Sequence, residues 1–241
     1  MAKKDQPSLN RKNTPASNLH ERKGQEMVFS YLALRKIIGY LGLLLPFVLF
    51  LGALKLSQTT MQDSVSAYYY TYMRDVFVGT LWAIGFFLFS YRGYDYIDDL
   101  VTDAAGIFAI GISLFPTTPE GPASSVAQTT GNVHFTFAAL FFLTLSCTSL
   151  FLFTKTDPMK PRSTRKPKRN VIYRVCGVIM LLCIGLVAIY SLLPSIKELL
   201  PASTIHPIFW LEAVADIAFG ISWAVKGQVL LKDEDEFLKK P

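Results

Sequence analysis

Ile37-Ile-Gly-Tyr-Leu-Gly-Leu-Leu-Leu-Pro-Phe-Val-Leu-Phe-Leu-Gly-Ala-Leu54 is an uncharged run bounded by Arg35 and Lys36 on one side and Lys55 on the other. A helix rises about 1.5 Å per residue, and roughly 20 apolar residues cross the 30 Å hydrocarbon layer of a bilayer. The run is apolar on every face, where a soluble helix would carry a single apolar stripe. It predicts a membrane span, and five further windows have the same character. Together they give spans at about 37–54, 73–91, 99–115, 133–153, 172–193 and 207–225. The predicted fold is all-α, a six-helix transmembrane bundle.

Composition agrees. Of 241 residues, 51% are hydrophobic and 17% charged, against about 25% charged in ordinary soluble domains. Mean hydropathy is +0.33. A soluble enzyme or a disordered chain is a poor match to these values. The net charge of +6 is concentrated between particular spans. Of 24 Lys and Arg, 21 lie before span one, between spans two and three, between spans four and five, or after span six; only Lys55, Arg74 and Lys197 fall in the alternate loops. By the positive-inside rule both termini are cytoplasmic, in an integral, inner-membrane protein.

Residues 1–30 read as a flexible basic cytoplasmic arm, 31–227 as the transmembrane domain and 228–241 as a short charged cytoplasmic tail. The leading segment lacks the layout of a cleavable signal peptide. Membrane lipids are the expected surroundings. The basic loop, with Lys160, Arg162, Arg165, Lys166, Lys168 and Arg169, reads as a topology determinant, or as a binding face for anionic lipids. Nucleic acid is not an expected partner, since no soluble segment offers a basic recognition helix, a zinc pattern or an aromatic platform. Cys147, Cys176 and Cys183 all fall inside spans and imply no disulfide framework. No cofactor is expected.

An ionisable residue within a span is expensive and is a functional candidate by default. Arg74 and Asp75 enter the outer part of span two, His134 the outer end of span four, and Glu212 and Asp216 share one face of span six at i and i+4. Depth groups Arg74, Asp75, His134 and Glu212, with Asp216 below them and Ser66 supplied by the outer segment Asp63–Asp75. The expectation is a polar pocket open to the non-cytoplasmic side, lined by spans two, four and six, that binds a small molecule, ion or lipid head group. The tyrosines of the outer segment suit an interfacial belt. Asp103 enters span three from the inner side, within reach of Arg92 or Lys226. The alternative for the outer cluster is a set of structural ion pairs, Arg74 with Asp75 or Glu212. Small residues four apart, Gly79 with Ala83, Ala105 with Ala109 and Gly220 with Ala224, suggest close helix contacts. Pro46 suggests a kink in span one, and the stretch after Pro122 reads as an outer Ser/Thr/Gly loop.

Ser64-Val-Ser-Ala-Tyr-Tyr-Tyr-Thr71, Arg74-Asp-Val-Phe-Val-Gly79, Ser90-Tyr-Arg-Gly-Tyr94 and Phe219-Gly-Ile-Ser-Trp-Ala-Val-Lys-Gly227 resemble a widespread group of bacterial multi-pass membrane proteins of unknown function. The resemblance implies six helices and no particular activity. A serine, an aspartate and histidines at span ends are more distantly similar to the alkaline ceramidase and progestin/adipoQ receptor superfamily, which implies a zinc site of three histidines. This chain has no His-x-x-x-His pair, and six expected spans where that superfamily has seven. If a metal is held, His134, Asp75 and Glu212 are its candidate ligands. The corresponding alternative function is a metal-assisted lipid hydrolase, with Ser66 or a metal-bound water attacking. A further alternative is a structural or partner-binding membrane protein.

Overall fold

A computed structural model describes residues 15–57, 60–156 and 163–231, and among them every regular element is helical. The long helices are α1 (Pro15–Ser57), α2 (Arg74–Ser90), α3 (Tyr96–Leu114), α4 (Ser125–Cys147) and α5 (Lys166–Leu192). After α5 come two short ones, α6 (Pro194–Leu199) and α7 (Ala202–Ile205), and the long α8 (Pro207–Lys226). A 3-10 turn spans Ser66–Tyr70, and α4 runs on into a five-residue π-helical turn, Thr148–Leu152.

Four segments are long and apolar enough to cross a membrane: Tyr31–Leu56, Ser125–Leu152, Lys166–Leu192 and Pro207–Lys226. The protein is therefore a helical membrane protein. Helix α2 has 17 residues, about 26 Å of helix, and α3 carries Asp98, Asp99 and Asp103 in its first two turns.

Each of the long helices packs on its neighbour in the chain, and α8 returns to α1, so the order α1-α2-α3-α4-α5-α8 closes on itself. The tightest joint is α1 on α8. A Cβ on Gly220 would lie 2.5 Å from the Leu43 amide nitrogen and 2.7 Å from the Gly39 carbonyl oxygen, and one on Gly39 would lie 2.6 Å from the Ala224 nitrogen. Backbones meet there because neither glycine has a side chain. Gly85 and Gly106 play the same part between α2 and α3. Of the small-residue pairs expected from spacing, Ala105–Ala109 and Gly220–Ala224 are buried in the core, but Gly79 is exposed with no neighbour within 4 Å. It faces away from the bundle.

Several boundaries differ from expectation. Residues 15–30, expected to be a flexible arm, are helical and continuous with span one. Pro15 is suited to a helix start, where its missing N–H costs nothing. The helix continues through Pro46. The expected Ser/Thr/Gly loop after Pro122 is mostly helix. The Ser124 hydroxyl caps α4 by accepting from Ala127 N, and Thr129 and Thr130 turn their hydroxyls onto the carbonyls one turn back. Polar residues that satisfy their own side chains this way can extend a helix beyond its apolar core. Tyr68, expected in an interfacial belt, is fully buried 6.2 Å from the Phe209 ring, while Tyr70 and Tyr72 are exposed. Of the four tyrosines, the 3-10 turn buries Tyr68 alone. Lys160 and Arg162 of the basic loop, residues 1–14 and the tail from Lys232 lie outside the described residues.

Candidate functional site

Two of the sequence candidates anchor one cavity. A space of about 500 Å³ lies between α4, α5 and α8, with His134 and Glu212 in its wall. Its position differs from that expected, because α5 replaces α2 as the third wall. Glu212 is held from across the fold: its Oε2 accepts the Ser66 amide at 3.2 Å. The 3-10 turn thus joins α8 through its backbone, and the Ser66 hydroxyl makes no contribution to that bond. Asp216, one turn below, is buried and lines an adjoining space of about 30 Å³ that also includes Ser66 and Glu212. That volume suits one or two waters. Ala138, Phe142 and Glu212 line both spaces and form the partition between them.

His134 is set by two carbonyls at the end of α3. Its Nδ1 lies 2.7 Å from the Phe115 oxygen and 3.2 Å from the Ile112 oxygen. Carbonyls only accept, so Nδ1 carries the proton and donates. In the neutral ring Nε2 is then an acceptor. The wall supplied by His134 and Glu212 is therefore rich in hydrogen-bond acceptors.

Arg74 and Asp75 do not join this site. Both are exposed at the start of α2. Arg74 lies over the Tyr69 ring at 4.6 Å and donates to its hydroxyl at 3.0 Å. It pairs with neither Asp75 nor Glu212, so the ion pairs weighed from sequence do not form. A cation–π contact with a neighbouring tyrosine holds the guanidinium locally. With Asp75 elsewhere and His134 Nδ1 committed, the trio His134, Asp75 and Glu212 is not assembled. Among the described residues no three His, Cys, Asp or Glu side chains gather closely enough to hold a metal ion. Asp103 pairs with Arg92 at 3.5 Å, with both side chains substantially exposed. Arg92 is one of the two partners expected for it, in a contact worth about 0–1 kcal/mol.

The structure adds residues that spacing does not suggest. Lys197 of α6 is exposed and lines the cavity, as do Ser64, Thr118 and Asn132. Lys197 is the cation expected of Arg74, delivered by a short helix after α5. Its sequence signal is its rarity: only three basic residues fall in the loops expected to face outward. Gly131 lets the Thr118 segment press against α4, since a Cβ there would stand 2.8 Å from the Thr118 nitrogen. Beside the mouth, His206 takes up the left-handed conformation (φ 48°) with Nδ1 3.0 Å from Asp63 Oδ1, and Phe209 N donates to the Asp63 carbonyl at 3.0 Å. These contacts tie the start of α8 to the segment carrying Ser66.

A second polar centre, of Asp95, Asp98 and Lys155, lies at the other end of α8 and was not among the sequence candidates. Asp98, at 1% exposure, accepts from Lys155 Nζ through Oδ1 and from the Tyr94 amide through Oδ2. Lys155 also reaches Asp95 at 2.8 Å. The hydrogen bond from Lys155 lowers the Asp95 carboxyl below its usual range, and Asp95 and Asp98 in turn raise the Lys155 ammonium.

Comparison of the chain with protein-family models, curated proteins and solved structures gives no match.

Proposed function

We propose that this is a six-pass membrane protein whose outer cavity binds a molecule with a primary ammonium head group, a small amine or the head group of a lipid. The observation that carries this reading is that Glu212 and His134 both line a cavity of about 500 Å³. Ligand sites of this size are mostly apolar with a few placed polar groups, and Phe135, Phe142, Val187 and Leu192 supply the apolar part. An ammonium donates up to three hydrogen bonds and accepts none, which suits such a wall. Lys197 would meet a phosphate or carboxylate on the same molecule.

The topology belongs to the same proposal. Helices α2 and α3 cross as well, which gives both termini the basic, cytoplasmic side and leaves the cavity on the opposite side. Exposed Phe86 on α2, and Ile107 and Leu114 on α3, support a lipid-facing surface on both. The aspartates of α3 all sit toward its first turns, at the basic end. The segment Lys160–Arg169 would then face anionic head groups.

The test uses the purified full chain in detergent, with thermal protection by phosphoethanolamine, phosphocholine and ethanolamine. Phosphoethanolamine is expected to protect, and phosphocholine, whose trimethylated nitrogen has no N–H, to protect less. Glu212→Gln, which keeps an acceptor for the Ser66 amide, and Lys197→Gln should each weaken the protection about tenfold or more, the size of one hydrogen bond to a charged group. Equal protection of Glu212→Gln and wild type, or no protection by any primary ammonium, would sink the reading. Impermeant labelling of single cysteines placed at the exposed Glu120 and Tyr96 tests the topology. Only the first should react from outside.

A further inference from the structure

At the basic end of the bundle, five aromatic rings gather round the half-buried Arg35 and the buried Lys226. Tyr91 and Phe153 each lie 5.1 Å from Trp223, edge to face, and Phe153 lies 5.3 Å from Tyr173. The Arg35 guanidinium sits 5.2 Å over the Tyr91 ring. The Lys226 ammonium sits 4.8 Å over Phe153 and 5.4 Å over Tyr94, in a residue 8% exposed. The charges of Arg35, Lys166 and Arg169 act against that of Lys226, and the Asp98 carboxylate acts in its favour.

What the cluster lacks is an acceptor. Arg35 Nε and Trp223 Nε1 are buried with no hydrogen-bond partner. No carboxylate among the described residues pairs with Arg35 or Lys226. The Asp98 oxygens accept from Lys155 and from the Tyr94 amide. Lys166 spends its donors on the Phe153 and Lys155 carbonyls, at 2.9 and 2.7 Å. Ring faces offset part of the cost of burying a cation, but they give an indole N–H or a guanidinium N–H no in-plane oxygen. Unpaired buried donors are costly, and an anion placed here would both accept from them and hold the Lys226 amine in its ammonium form.

We propose that Arg35, Trp223 and Lys226 form a binding site for a phosphate monoester at the basic end of the bundle. Two cations without a carboxylate between them match a dianion, and a phosphate monoester carries about −1.5 to −2 at neutral pH. The guanidinium and the indole provide directional donors, while the ammonium acts as a point charge. The site lies where the phosphate of a lipid would approach if the basic end faces anionic head groups, and it is independent of the outer cavity. Glu212 is fourteen residues up α8, about 21 Å away.

The experiment titrates detergent-purified full chain with dioctanoyl phosphatidic acid, dioctanoyl phosphatidylglycerol, dioctanoyl phosphatidylcholine and inorganic phosphate, followed by thermal shift. Phosphatidic acid should bind more tightly than either diester. Lys226→Met and Arg35→Gln should each weaken it about tenfold or more, whereas Lys168→Gln, exposed on the same basic segment, should not. Retained binding in Lys226→Arg separates loss of charge from loss of fold. Inorganic phosphate that competes at equal concentration identifies a soluble phosphate as the source; a response to phosphatidic acid alone identifies a lipid head group. Both support the site. Equal affinity for monoester and diesters, or unchanged binding in Lys226→Met, overturns it. So does a wild type that binds nothing while Asp233→Asn/Glu234→Gln/Asp235→Asn/Glu236→Gln gains binding, because the occupant would then be the chain's own acidic run. Glu212→Gln should leave this titration unchanged, so either proposal can fail alone.

Discussion

Gly220→Ala and Gly79→Ala are chemically the same change in two helix interiors, and the structure expects opposite outcomes. Both gain roughly 0.8–1 kcal/mol of helix propensity. At Gly79 the new methyl meets nothing within 4 Å, so that gain stands. At Gly220 it would stand 2.5 Å from the Leu43 nitrogen and 2.7 Å from both the Gly39 oxygen and the Leu43 Cβ. Carbon contacts settle near 3.5–4.0 Å, so α1 and α8 must part by about 1 Å. Two of the three obstacles are backbone atoms, which cannot rotate aside. Overpacking of this kind costs about 1–3 kcal/mol. The two variants should therefore differ by about 1–3 kcal/mol, with Gly220→Ala the less stable. On the scale of soluble domains of this size, that is about 2–4 °C in Tm for each kcal/mol. Thermal unfolding in one detergent, with wild type beside both variants, reads the difference. Equal Tm values for the two variants would refute the close crossing of α1 and α8.

The hydroxyls of Ser149 and Ser222 lie 2.7 Å apart, both buried, and join the π-helical turn to α8. Ser222→Ala alone should cost about 1–3 kcal/mol by leaving Ser149 unsatisfied, and adding Ser149→Ala should recover part of that loss; a double-mutant cycle with no coupling would argue against the pair. The Asp95–Lys155 contact predicts a pH response with a definite sign. Asp95 is lowered in the fold, so its contribution is present above its unfolded pKa, near 3.9, and is lost as pH falls through the lower folded value. Lys155 is raised, so its contribution is full below about pH 10 and is lost as pH rises through the folded value. Removing the amine in Lys155→Gln should flatten the wild-type Tm profile at both extremes, and an unchanged profile would contradict the assignment.

Much of the architecture was legible because a bilayer constrains a sequence so strongly. Ile37–Leu54, with no charge along its length, could only be a spanning helix or a buried one, and α1, α4, α5 and α8 appear where the apolar windows stand. Errors gathered where polar residues satisfy themselves locally. Ser124 to Thr130 looked like a loop by composition, yet its hydroxyls return to the helix backbone. Likewise Gly79 had the spacing of a packing residue, but spacing does not say which side of a helix meets a neighbour.

The candidate site divides the same way. Glu212, Asp216 and His134 were marked by the cost of placing ionisable groups in hydrocarbon, a property of each residue that sequence displays. Which of them meet depends on how the helices close around one another. Arg74 was grouped with them by depth, but its side chain turns to Tyr69, and Lys197, more than a hundred residues later, takes the place at the cavity. The cluster of Arg35, Trp223 and Lys226 had no sequence signature, because its three members come from opposite ends of the chain. Sequence alone determined a helical membrane protein with misplaced charges. Only the packing of α4, α5 and α8 decided which charges share a cavity, since burial and orientation arise from contacts between segments remote in sequence.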